Sequence, residues 1–207
     1  MYNYTLENSF YMKADPEYIK NMISIGVTGS IASGKSTVSR LMAGNKYPLF
    51  SADKVVTDLY KKKSFINSLV KKFKLSKKSK VKDQLRLLLK NNKKNFKKLE
   101  KIIHPLVRKE MKKYLKKKNK IVIFEIPLLI EGKLNKYFDT LVYVGAKKSI
   151  RLRRYLNKGG EKQTFYTLDK RQLSPKIKEK VSDYKITNNK SLVYLKKQVK
   201  NFIKKYE

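Results

Sequence analysis

The chain has 207 residues, of which 52 are Lys or Arg and 16 Asp or Glu, giving a formal charge of +36, and it has no cysteine. That length suits one α/β domain with appendages, and the missing cysteine excludes disulfides, thiolate metal sites and a cysteine nucleophile, as expected of a reducing, cytoplasmic setting. Hydrophobic residues make up 41% of the chain and charged residues 33%, a globular balance, and no apolar run is long enough to cross a bilayer.

Residues 1–21 are polar and aromatic around Asp15-Pro16 and lack the apolar centre of a secretory signal. They read as an extension ahead of the core. A β-branched run, Ile23 to Thr28, predicts a buried strand. It leads into Gly29-Ser30-Ile31-Ala32-Ser33-Gly34-Lys35-Ser36, which satisfies G-x-x-x-x-G-K-[ST], and Thr37 to Ala43 behind it has helical character. Strand, loop and helix in that order form a phosphate cradle: loop amides converge on an anion and the helix adds its positive end. Lys35 is then placed to reach the β- and γ-phosphates, Ser36 to hold Mg²⁺ and Thr37 to line the helix start.

Further strands are predicted at Tyr47 to Ser51, Ile121 to Ile126, Thr140 to Val144 and Tyr184 to Thr187. Strands alternating with helices argue for a mainly parallel five-stranded sheet covered on both faces, a P-loop NTPase three-layer fold with its ligands at the carboxyl ends of the strands. The alternation fails between Ser51 and Ile121. Helical patterns at Asp53 to Lys62, Phe65 to Phe73, Val81 to Leu89 and Phe96 to Leu115 fill this gap, the last expected to break near His104-Pro105. The division expected is a nucleotide-binding core of residues 22–52, 119–146 and 176–207, a helical acceptor-binding region of 53–118, and a lid of 147–175 whose basic stretch Lys147 to Lys158 is followed by Gly159-Gly160. The lysines are scattered over every helical segment, as at Lys61 to Lys63 and Lys71-Lys72. They read as solvated faces, so no specific nucleic-acid partner is expected, although the field would draw in an anionic substrate.

Phosphoryl transfer to an alcohol needs a carboxylate near the attacking hydroxyl and cations around the transferred group. Asp53, at the end of the second strand, is the candidate base, its alternative being an N-cap for the next helix. Glu125 ends the third strand as an acidic residue that orders Mg²⁺ would, or pairs with a lysine. Glu131 is a candidate contact for the acceptor. Arg151, Arg153 and Arg154 lie on the lid helix with Lys158 four residues past Arg154, a cationic face for closing over ATP. His104 is the only histidine, which excludes a multi-histidine metal site and a Ser-His-Asp triad; it either caps structure or hydrogen-bonds the acceptor.

Together these residues resemble the dephospho-CoA kinase family from Met22 to about the C-terminus. Family members read T-G-G-I-G-S-G-K-S-T where this chain has Thr28 to Thr37, D-A-D where it has Ser51-Ala52-Asp53, L-E-x-I-x-H-P at Leu99 to Pro105, P-L-L-x-E at Pro127 to Glu131, and a glutamine and A-D-x-x-I-x-N echoed by Gln172 and Ser182 to Asn188. The resemblance implies transfer of phosphate from ATP, with Mg²⁺, to the ribose 3′-hydroxyl of dephospho-CoA, with Asp53 as base and Arg154 as lid arginine. It leaves the oligomeric state open, a monomer included. The chain departs from the pattern at Ser30 and Ala32, where glycine is usual, so the loop must avoid positive φ there or accept strain. It departs also at Ser51, Arg151 (usually glutamine), and Lys158 and Lys178 (usually arginine), where a point charge replaces a bidentate fork. A nucleotide or nucleoside kinase is the alternative within P-loop enzymes, and a basic nucleic-acid-binding P-loop protein the one outside them. A GTPase switch is disfavoured because N-K-x-D is missing: Asn92 to Asn95 and Asn45 to Pro48 both lack the aspartate.

Overall fold

Five short runs of β-branched and aromatic residues make the sheet: β1 (Ile23–Gly29), β2 (Leu49–Ser51), β3 (Ile121–Glu125), β4 (Thr140–Gly145) and β5 (Tyr184–Thr187). All four pairings are parallel, in the order β2-β3-β1-β4-β5. The computed structural model describes residues 22–76, 80–89, 92–115 and 119–207, so the extension at 1–21 lies outside the described residues. β1 lies between β3 and β4, in register Ile23 with Ile121 and Ile25 with Thr140. The chain therefore leaves β1 for one edge and later returns to build the other, and the crevice at the carboxyl end of such a strand is where ligands bind in this topology.

Period-two alternation decides which helices cover which face. Ile25, Val27, Ile121, Ile123, Val142, Val144 and Ile186 join Val38, Met42 and Ala43 of α1 (Lys35–Ala43) and Leu195, Val199, Phe202 and Ile203 of the C-terminal helix in one buried cluster. On the other face Gly26 is bare because Leu129, Leu141 and Phe138 crowd it: a Cβ there would lie about 3 Å from each.

The chain forms two compact units, one of the described residues up to Ser51 with Tyr114–Glu207, the other Ala52–Lys113. The first holds the whole sheet and residues 147–175, expected as a lid. The second contains α2 (Ala52–Leu59), α3 (Lys63–Phe73), α4 (Val81–Leu89) and most of α5 (Lys93–Leu115). Its core is an apolar cluster of Leu59, Phe65, Leu69, Leu75, Leu85 and Leu99. Contrary to expectation, α5 runs unbroken through Pro105. The proline removes one main-chain hydrogen bond, a cost of about 3 kcal/mol, but Leu99, Ile102, Ile103 and Leu106 pack into the cluster from both sides of it. Their i, i+3, i+4, i+7 spacing keeps one face buried across the interruption. The remaining helices are α6 (Lys148–Leu156), α7 (Lys162–Lys170), α8 (Pro175–Val181) and α9 (Leu192–Ile203). No helix among the described residues is long and apolar enough to cross a membrane.

Candidate active site

β1 delivers the chain into a loop that turns back on itself, the Ser33 N–H donating to the Ser30 carbonyl at 3.2 Å. The turn needs two left-handed residues: Ala32 at φ 56° and Gly34 at φ 97°. Of the two outcomes expected at Ala32, the backbone takes the strained one; Ser30 keeps a negative φ. Gly34 is required twice over, since a Cβ on it would fall 2.1 Å from Asn188 Nδ2. α1 starts immediately after it, so its N-cap is a glycine with no side chain to cap it, in contrast to α8 and α9, where Ser174 and Ser191 accept from Ile177 and Tyr194 N–H. Uncapped amides at a helix start on the strand-end rim are the donors an anion uses.

Four of the loop carbonyls, those of Gly29, Ser30, Ile31 and Ser33, which would repel an anion, are taken by side-chain donors. Lys35 Nζ donates to the Gly29 and Ser30 carbonyls, both at 3.1 Å. Arg151 Nη1 donates to Ile31 O at 3.3 Å, and Asn188 Nδ2 and Arg154 Nη1 donate to Ser33 O at 2.9 and 3.4 Å. Burial raises the pKa of the Tyr143 phenol, and the neighbouring Ser30 side chain offsets this in part.

Ser36 Oγ donates to Glu125 Oε1 at 2.5 Å. Glu125, buried at the end of β3, is in register with Val27 on one side and Ser51 on the other. The structure thus brings Ser36 and Glu125 together, while the Lys35 ammonium rests on the loop carbonyls. Asp53 follows β2 by two residues and lies in the first turn of α2, exposed, with its carbonyl accepting from Thr57 Oγ1 at 2.9 Å. Because α2 begins at Ala52, Asp53 is inside the helix and not the N-cap ahead of it.

The basic stretch differs from a uniform cationic face. Arg154 is fastened to the loop and to Asn188, its Nη2 donating to the Asn188 carbonyl and Oδ1 at 3.1 and 3.2 Å; burial, and then the neighbouring Arg153 charge, lower its pKa from the ordinary value, though a guanidinium stays charged. Arg151 is only 3% exposed and pairs with Asp169 at 2.7 Å. Burial alone would raise the Asp169 carboxyl, but the hydrogen bond and charge of Arg151, helped by Lys148, hold it below the ordinary carboxylate range. Arg153 is exposed. Lys158, expected on the Arg154 face, lies past the end of α6 at Leu156, in a turn closed by Gly159 at φ 77°. Gly160 is pressed against Tyr155, where a Cβ would meet the ring at 2.2 Å.

Glu131, expected to meet the acceptor, is tied into the fold. The fully buried Lys178 ammonium lies 2.6 Å from its Oε1, out of line for a hydrogen bond, and the Leu173 N–H donates to the same oxygen at 3.0 Å. His104 is half-buried on α5, and burial, then the Arg108 charge, depress its pKa and favour the neutral ring. Three residues of the loop's surroundings were not read as site residues from sequence: Asn188, Gln172 and Asp169. Asn188 and Gln172 have a signal in the family pattern that Gln172 and Ser182 to Asn188 echo; Asp169, in the last turn of α7, has none.

A parallel sheet, a cradle at the carboxyl end of its central strand, a lysine folded onto that cradle and a serine facing a strand-end carboxylate define a P-loop NTPase fold. Comparison with known proteins says which family. The dephospho-CoA kinase family model matches residues 23–193. The curated dephospho-CoA kinase of Fusobacterium nucleatum is 34% identical over 190 residues, 88% of this chain and 97% of the relative, and that of Zymomonas mobilis 35% over 185, or 86% and 94%. A Thermus thermophilus crystal structure superposes with a TM-score of 0.78 at 27% identity, covering 90% of this chain and 98% of that one. For the fold alone, the dephospho-CoA kinase of Campylobacter jejuni gives 0.61 at 23% identity, over 89% and 97%. The chain belongs to the dephospho-CoA kinase family. It is accordingly a phosphotransferase with an alcohol acceptor.

Proposed function

We propose that this chain moves the γ-phosphoryl group of ATP to the ribose 3′-hydroxyl of dephospho-CoA, giving CoA and ADP, the last step of coenzyme A synthesis, in the cytoplasm. The observation that carries this reading is the cradle: loop carbonyls engaged by Lys35, Arg151, Arg154 and Asn188 around an uncapped helix start. Such a site binds the polyphosphate of a nucleotide through amides that need no rearrangement. Lys35, resting on the Gly29 and Ser30 carbonyls, swings its ammonium to the β- and γ-phosphates. Arg154, held by Ser33 and Asn188, adds fixed positive charge at the edge of the cradle. Asp53 takes the proton from the ribose hydroxyl.

Ser36 and Glu125 offer a hydroxyl and a carboxylate oxygen beside the loop, a donor set that fits Mg²⁺, which takes few protein ligands and completes its shell with phosphate oxygens and water. Bound there, Mg²⁺ neutralises charge on the phosphates. His104, kept neutral by its surroundings, can hydrogen-bond the acceptor. Glu131 serves by holding Lys178 and the Leu173 amide.

A coupled ADP-release assay with a panel of acceptors tests the reading. Dephospho-CoA should give turnover at least about a hundredfold above adenosine, AMP or shikimate, the discrimination expected where an extended acceptor's binding energy is used in catalysis. Faster turnover with a nucleoside would replace it with the nucleoside-kinase reading.

A further inference from the structure

The outer side of the phosphate loop is gripped at one residue. The Ile31 N–H donates to Gln172 Oε1 at 2.9 Å, and the Ile31 carbonyl accepts from Arg151 Nη1 at 3.3 Å. Both grips come from the segment of α6, α7 and the turn behind it. Arg151 is itself immobilised: it pairs with Asp169 Oδ1 at 2.7 Å, donates from Nε to Ala146 O at 3.3 Å, and lies over the Phe165 ring at 5.6 Å. The Gln172 N–H in turn donates to the Asp169 carbonyl at 3.2 Å. One turn therefore carries both the counter-ion of Arg151 and the acceptor for Ile31.

The next residue explains why a grip is needed there. Ala32 holds φ 56°, a conformation that an L side chain disfavours by a factor on the order of ten and that glycine adopts freely. Without support, the Ala32 backbone would relax to negative φ and carry the following amides out of the cradle. A neutral hydrogen bond shifts such a balance by roughly twofold to tenfold, and a charge-assisted one by more, so two bonds on the preceding residue are enough to hold it.

We propose that Gln172 and Arg151 are positioning residues for the nucleotide: they hold the peptide groups on either side of Ile31 and thereby keep Ala32 left-handed, doing for this chain what a glycine at 32 would do by itself. The proposal rests on the ATP-dependent kinase reading above and adds the origin of the loop's shape.

The test is a comparison between two backgrounds, the unaltered chain and Ala32→Gly. ATP affinity is measured by titration calorimetry without acceptor, and KM for ATP and kcat with dephospho-CoA. In the unaltered background Gln172→Ala should weaken ATP binding and raise its KM by about fivefold to tenfold, with kcat at saturating ATP within about threefold. In the Ala32→Gly background the same substitution should cost less than about twofold relative to that background. A role confined to general stability would show an equal loss in both. Equal losses, no loss in either, or a fall in kcat with ATP affinity unchanged would overturn the proposal. Should Gln172→Ala fail to fold by thermal unfolding, Gln172→Met keeps the side-chain volume without the acceptor and carries the same comparison. Failure of the acceptor reading would show separately, as no stimulation of ADP release by dephospho-CoA in the unaltered chain, and would leave the ATP titrations interpretable.

Discussion

The sheet unit and the helical unit are held together by different chemistry. In the sheet unit charged and polar side chains are buried and committed: Arg151 to Asp169, Lys178 to Glu131, Asn188 and Arg154 to Ser33, Ser36 to Glu125. In the helical unit the core is a leucine and phenylalanine cluster, and ion pairs on its surface, Lys61 with Asp58 and Lys113 with Glu110, are local i, i+3 contacts. Where a triphosphate must be met by amides in fixed positions, the chain uses directional bonds. Where an apolar face suffices, it uses burial, which tolerates more variation.

That contrast can be broken by substitutions in each unit. The largest effect is expected on chemistry: Lys35→Ala and Asp53→Asn should each lower kcat by about a hundredfold to ten-thousandfold, with thermal midpoints close to that of the unaltered chain, as rates and melting curves on the same preparations would show. Next come the committed pairs. Asp169→Asn strands a buried guanidinium and should cost about 3 kcal/mol in urea unfolding, the lower end for a buried pair because Asp169 is still 17% exposed. The folded-state pKa of Asp169 lies below its unfolded value, so its contribution is complete above about pH 5 and disappears as pH falls through about 3.9 and below. The unaltered chain should therefore lose stability more steeply than Asp169→Asn between about pH 5 and 3.

In the helical unit, Leu69→Ala should cost about 2–5 kcal/mol by urea unfolding, since Leu69 is fully buried, while KM for ATP stays put. The smallest effect is expected at Lys61→Ala, whose partner Asp58 is solvent-exposed; no resolvable change in the unfolding midpoint is expected. A large shift there, or a Leu69→Ala change seen first in ATP affinity, would dissolve the distinction between the units.

Much of the sheet is legible in the sequence because Ile, Val and Phe runs of strand length sit between helical patterns, and β1, β3, β4 and β5 fall within a residue or so of where those runs predict. The cradle is legible because its donors are main-chain atoms at fixed spacing from Gly34 and Lys35. Pro105 misleads because propensity is local, while the burial of Leu99 and Leu106 that overrides it is tertiary. Lys158 misleads by helical counting, which cannot see that Gly159 ends the turn. The Asp169 pair and the Gln172 grip are illegible for a different reason: the latter joins residues 141 positions apart, and no spacing rule reaches that far.

The most direct measurement of the central claim is the fate of the phosphate. With ATP and dephospho-CoA, phosphorus NMR of the products should show one new monoester on the ribose 3′-hydroxyl for each ADP released. ADP accumulating at the same rate with dephospho-CoA left out, with inorganic phosphate as the only other product, would contradict it.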